Sequence, residues 1–132
     1  MALERLIPVL VYRDIQAAHD FLVQAFGFEA GGVERDAGGK AVHGEVKVAG
    51  SAVWLHRATA ELDSPGTVDM AGAGLVVFVS DVDAHCAGAR VAGARIQSEP
   101  ISQPYGQREY EARDPEGHRW WFAAPLNVST PS

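Results

Sequence analysis

The chain has 132 residues, 47% hydrophobic and 21% charged, which is enough for one domain with a core and too apolar for a disordered segment. A net charge of −6 with no Lys/Arg cluster argues against nucleic-acid binding, and no apolar run is long enough to span a bilayer. Cys86 is the only cysteine, so no internal disulfide can form; with no signal-peptide pattern in MALERLIPVL, the expected location is the cytoplasm.

The segment LIPVLVY (Leu6–Tyr12) predicts a buried strand. Asp14 then stands at an N-cap position. Ala18, Phe21, Leu22, Ala25 and Phe26 follow at helical spacing, up to Gly27, where a helix stop belongs. Three extended segments come next, FEAGGVER, AVHGEVKV and SAVWLHRA, with RDAGGK as a hairpin tip between the first two. Residues Thr59 to Gly72, with Pro65 and Gly66, read as a polar linker. A second series then begins with a strand at Leu75–Ser80, an Asp81 cap and an alanine-rich helix ended by Gly93. ARIQSE, QREYEAR and HRWWFAA complete it. Asp114-Pro115-Glu116-Gly117 joins the last two, its Asp, Pro and Gly suiting a type I turn.

Asp14 and Asp81 are 67 residues apart. The same offset sets Ile15 on Val82, Ala17 on Ala84, Gly50 on Gly117, Trp54 on Trp121 and Leu55 on Phe122, which indicates an internal repeat. Each half reads βαβββ. The expectation is an α+β fold in a single domain 1–132, with modules 1–58 and 73–126 joined by linker 59–72. One helix covers one face of each sheet, so the other face needs a partner. Two such faces turned together enclose a concave ligand site, and the exposed apolar surface predicts a homodimer.

In this element order, and in VYRDIQAAHDFLVQAFGF, VFVSDVDAH and YGQREYEARDPEGHRWWFA, the chain resembles the glyoxalase / bleomycin-resistance / extradiol-dioxygenase superfamily, also called vicinal oxygen chelate proteins, over nearly its whole length. The resemblance implies curved sheets around a cavity, commonly in a dimer with cavities at the subunit interface. It also implies, for the enzymes, a divalent metal held by His, Glu or Gln on the first and last strands of each module. Carried over residue by residue, those positions fall on Ile7, Leu75, Trp54 and Trp121. None offers a lone pair to a metal. The resemblance therefore points to the branch that sequesters antibiotics, with no catalytic residue, no metal and no cofactor, and with a small apolar or aromatic ligand. Alternatives are a metal-dependent glyoxalase- or dioxygenase-type lyase or isomerase using other residues, and a partner-binding module without a small ligand.

Adjacent tryptophans on a strand point to opposite faces. Val53, Leu55, Trp120 and Phe122 are expected under the helices, and Trp54 and Trp121 in the cavity as stacking surfaces. His56 shares the Trp54 face as a ligand donor or a rim residue. His43 and Glu45 alternate on one strand face, and two such groups without a third suit a solvated surface. His19 and His85 are expected outside the cavity and His118 exposed. The Pro104-Tyr105-Gly106 loop is expected to edge the cavity with Tyr105. Arg108, sharing a face with Tyr110, either anchors a ligand carbonyl or carboxylate, or pairs with Asp114 or a glutamate. Glu109 and Glu111 share the opposite face, with solvation the default. Cys86 is expected to pack within its helix.

Overall fold

The computed structural model describes residues 1–66 and 73–126. β1 (Val9–Tyr12) leads into α1 (Ile15–Phe26), followed by β2 (Glu29–Arg35), β3 (Ala41–Val48) and β4 (Ser51–Arg57). The same order recurs as β5 (Gly74–Phe78), α2 (Val82–Val91), β6 (Arg95–Ser102), β7 (Gln107–Arg113) and β8 (Arg119–Pro125). These are two βαβββ modules in an α+β architecture. Their four-stranded sheets run in the orders β1-β4-β3-β2 and β5-β8-β7-β6.

Local chemistry sets both helices. The Asp14 carboxylate accepts from the Ala17 N–H and the Asp81 carboxylate from the Ala84 N–H, each at 3.0 Å. Each satisfies one of the orphan donors of a helix start. Gly27 closes α1 with a left-handed φ of 78°, donating to Val23 O at 3.1 Å. The repeat is kept in the strand register: β1 lies parallel to β4 with Val9 opposite Trp54, and β5 parallel to β8 with Val76 opposite Trp121. Both members of each pair are 67 residues from their counterparts.

The first strand is shorter than the expected Leu6–Tyr12. Pro8 has no N–H to give to a ladder, and its carbonyl instead accepts from Trp54 N at 3.0 Å. Of the expected linker, residues 59–66 contain no helix or strand, and 67–72 lie outside the described residues.

Each helix covers one face of its own sheet, and α1 also packs on α2. One apolar cluster spans both modules. Trp120, 0% exposed, sits at its centre with Phe26 and Phe28 of module one at 5.7 and 5.4 Å between ring centroids. Cys86 is buried in this cluster, and burial pushes its thiol pKa up, as an inert packing residue requires.

Candidate functional site

The faces away from the helices are defined by period-two alternation and the strand register. In module one, Val46, Val53 and Leu55 are buried toward α1. The opposite face carries Val9 and Val11 on β1, Trp54 and His56 on β4, and His43, Glu45 and Lys47 on β3. His43 lies directly across from His56, and Glu45 across from Trp54. Trp54 is 37% exposed. Its indole N–H donates to Glu45 Oε1 at 3.1 Å, and its ring meets His43 edge-on at 5.5 Å. Gly31, Gly32, Val33 and Glu34 complete a pocket of about 350 Å³ with Trp54, His43 and Glu45; Trp121 is not among its walls.

In module two, Tyr110, Ala112, Trp120 and Phe122 are buried toward α2. The opposite face carries Val76 and Phe78 of β5, 51% and 59% exposed, with Arg119 and Trp121 of β8 and Glu109 and Glu111 of β7. The Trp121 ring lies over Gly74, where an added Cβ would come within 2.3 Å of Cζ3. The Arg119 guanidinium sits 4.7 Å from the Trp121 ring centroid. Glu111 holds that guanidinium through Nε at 2.9 Å and Nη2 at 3.1 Å, and these hydrogen bonds raise the arginine pKa further. Tyr105, well exposed on the β6–β7 loop, donates to Glu109, which also accepts from Gln107 Nε2 at 2.7 Å.

Trp54, His56 and Trp121 thus stand on helix-free faces, and Tyr105 reaches one through Glu109. Two other expected site residues, Leu75 and Arg108, do not. Leu75 is opposite Trp120 and packs on the core, so Val76 takes the place across from Trp121. Ile7 precedes β1, and Val9 takes the place across from Trp54. Ile7 and Leu75 are 68 residues apart, one more than the repeat offset, a signal that they could not both share the tryptophans' side. Arg108 is opposite Ala124, on the helix side. It grips Asp83 of α2 through Nε and Nη2 at 2.9 and 2.8 Å, holding that carboxyl below its usual pKa.

Two histidines and an aspartate also depart from expectation. His118 is half-buried, its Nε2 2.8 Å from Val11 O. His85 is half-buried between Phe26 O, 2.8 Å from Nε2, and Tyr110 Oη, 2.6 Å from Nδ1. A carbonyl only accepts, so Nε2 carries the proton and Nδ1 accepts from Tyr110. Asp114 pairs with Tyr12 and Trp120 rather than with Arg108. A larger cavity of about 710 Å³, reached by His85, lies where the β3–β4 hairpin faces the end of β5. None of the seven expected site residues lines it.

A sequence model of the family described as the Glyoxalase/Bleomycin resistance protein/Dioxygenase superfamily matches residues 6–122. The uncharacterized protein Mb0911c of Mycobacterium bovis is 30% identical over 126 residues, covering 92% of this chain and 83% of that protein. Among solved structures, TioX from Micromonospora sp. ML1 is 35% identical with a TM-score of 0.74, covering 93% of this chain and 99% of that one. TnmS3, an antibiotic binding protein from Streptomyces sp. CB03234, is 25% identical with a TM-score of 0.72, covering 95% and 98%. Among the described residues no helix is long and apolar enough to cross a membrane.

Proposed function

The chain belongs to the glyoxalase/bleomycin resistance protein/dioxygenase superfamily, and we propose that it binds and sequesters a small apolar or aromatic molecule, an antibiotic being the leading class, on the helix-free faces of its sheets. The observation that carries this reading is the repeat-related pair Trp54 and Trp121. Each is set on an uncovered face beside an exposed valine, Val9 or Val76. Indole faces beside aliphatic surface suit a flat ligand, which gains area burial and offset stacking. The likeness to TnmS3 supports a binding role.

A divalent metal does not fit these positions. Val9, Trp54, Val76 and Trp121 have no lone pair to give. The nearby Glu45 is engaged by the Trp54 indole, and among the described residues no three His, Cys, Asp or Glu side chains come together as a metal set. No catalytic step is therefore assigned. The exposed apolar faces also favour a homodimer that brings uncovered faces together around the ligand.

The test is titration of the purified protein with a panel of planar aromatic antibiotics, read by quenching of tryptophan fluorescence. Trp54→Ala and Trp121→Ala are each expected to weaken binding about tenfold or more, since stacking and lost area together exceed about 1.4 kcal/mol. Trp120→Ala is expected to cost about 3–5 kcal/mol of stability, as large core truncations do, while the folded fraction still binds. Unchanged affinity in both open-face variants would refute the reading, and a monomer in sedimentation at micromolar concentration would remove its shared-cavity part.

A further inference from the structure

The two repeats use equivalent glutamates differently. In module one Glu45 accepts from the Trp54 indole at 3.1 Å. In module two Glu111, likewise across from the tryptophan, is filled by Arg119. Arg119 stands where module one has Ala52, by the same offset of 67. Among the described residues nothing accepts from the indole N–H of Trp121, and nothing accepts from Arg119 Nη1. Both donors belong to side chains on the helix-free face. A second cation, Arg113 Nε, lies 3.7 Å from Glu111 Oε2, so this carboxylate stands between two guanidinium groups. The other carboxylate of the face, Glu109, is two residues along β7 and engaged by Tyr105 and Gln107.

We propose that Arg119 is a specificity-determining residue of the ligand site, and that with the Trp121 indole N–H it selects an aromatic ligand bearing a carboxylate. The inference rests on the binding reading above and adds the ligand's polarity to it. Glu111 and the Trp121 ring hold the guanidinium plane in place, so its remaining N–H pair is oriented before the ligand arrives. Fixed donors of this kind lose little entropy on binding, and a planar fork matches a carboxylate. The repeat explains why only module two is so equipped: Ala52 cannot draw Glu45 away from its tryptophan.

Isothermal titration of the full chain with 2-naphthoate and with the neutral isostere 2-naphthamide tests this. The wild type is expected to prefer the naphthoate by about tenfold or more, the range of a charge-assisted hydrogen bond. The double variant Arg119→Gln/Glu111→Gln removes the guanidinium without stranding the glutamate, and is expected to bind both probes alike. Arg108→Gln, on the helix side, is expected to keep the wild-type ratio. Should the double variant fail to fold, Arg119→Lys serves. An ammonium cannot hold Glu111 through two N–H groups and still present a fixed pair, so the ratio is expected to fall at least about threefold. No preference in the wild type, or a preference kept without the guanidinium, overturns the Arg119 proposal and leaves the binding reading standing. If neither probe binds the wild type at millimolar concentration, the binding reading itself falls, and the Arg119 proposal with it.

Discussion

The two modules pair their first and last strands in the same register to the residue, yet they meet each other through two unlike seams. At one seam the five residues between β7 and β8, Asp114–His118, reach across to the β1–α1 corner. The buried Asp114 accepts from the Tyr12 hydroxyl, from Trp120 Nε1 at 3.1 Å, and from the backbone N–H groups of Glu116 and His118. Glu116 accepts from Arg13 N at 2.6 Å and Asp14 N at 2.8 Å, just ahead of α1. His118 reaches Val11 O, and Gly66 N donates to Glu116 O. At the other seam the β3–β4 connection is only Ala49-Gly50, and the corner facing it, Val79–Ser80, borders the 710 Å³ cavity. By the offset of 67, Val79 replaces Tyr12 and Ala49 replaces Glu116. His85 is the main polar bridge there, from α2 to Phe26 O. The pairing of first with last strand is the same in both modules because that register carries a whole buried face. A turn carries no such constraint, and its length decides whether a seam is closed by hydrogen bonds or left open.

The strongest way to break this contrast is Asp114→Asn. Both carboxylate oxygens receive only donors, so an amide NH₂ faces donors in either orientation. Two buried donors left unpaired cost about 1–3 kcal/mol each, so urea unfolding is expected to show a loss of roughly 2–6 kcal/mol. Wild-type stability in this variant would show that the clasp does not hold the modules. Next comes a matched pair of glycines. Gly117 (φ 90°) and Gly50 (φ 81°) are repeat-equivalent and both left-handed, so alanine strains each backbone by about 1–3 kcal/mol. At Gly117 a Cβ would also fall 1.9 Å from the Gly66 carbonyl oxygen, whereas at Gly50 nothing lies within 4 Å. Gly117→Ala is therefore expected to unfold at lower urea than Gly50→Ala. Equal midpoints would remove the packing difference between the seams.

Much of this was legible in the sequence, because the strongest signals are local or periodic. Asp14, Asp81 and Gly27 announce the helix ends, and the offset of 67 announces the repeat. Alternation separates Trp120 from Trp121. What failed depended on which strand edge faces which neighbour. Arg108 and Tyr110 do share a face, as alternation requires, but only the pairing of Tyr110 with Phe122 reveals that this face lies under α2. The expected sharing of one side by Leu75 and Trp121 fails because the β5–β8 register sets Leu75 beside Trp120. The clasp was hidden for another reason: Tyr12 and Asp114 are 102 residues apart, and no spacing rule connects them. Arg119 escaped notice because its importance lies in what it takes from Glu111, a competition visible only once three side chains share one face.

A smaller effect is expected from Tyr12→Phe. It keeps the ring beside His118, 4.6 Å away, and deletes the hydroxyl that meets Asp114. A hydrogen bond to a charged group contributes about 1.5–3 kcal/mol, so a loss in that range is expected at neutral pH. Burial, and then the Asp114 charge, push the Tyr12 pKa well above its ordinary value. A group whose folded pKa is raised stabilises fully below its unfolded value, near 10 for tyrosine, and loses that stabilisation as pH rises toward the folded value. The gap between wild type and Tyr12→Phe is therefore expected to narrow above about pH 10. Burial raises Tyr110 as well, in both proteins, so the variant still loses stability in alkali. A gap that stays constant through pH 11 would mean that Tyr12 is not the group that resists ionisation.

The smallest expected effect lies at the open seam and has the opposite sign. Ala49 and Gly50 are the two central residues of the β3–β4 hairpin, with φ of 49° and 81°. Two positive φ values in a two-residue connection are those of a type I′ turn, which favours Asn-Gly. Alanine has no side-chain hydrogen bond to offset the left-handed conformation, while asparagine tolerates it. Ala49→Asn is therefore expected to stabilise the protein by about 0.5–1 kcal/mol. The new side chain meets no obstacle, because Ala49 borders the 710 Å³ cavity rather than a docked corner. At the closed seam the repeat-equivalent position is Glu116, whose carboxylate bonds two backbone N–H groups, and Glu116→Asn is expected to destabilise because the shorter side chain cannot span both. Opposite signs at two positions related by the repeat, read as urea midpoints, are what the unequal seams require. Stabilisation at both, or loss at both, would mean that the turns and not the seams set the difference.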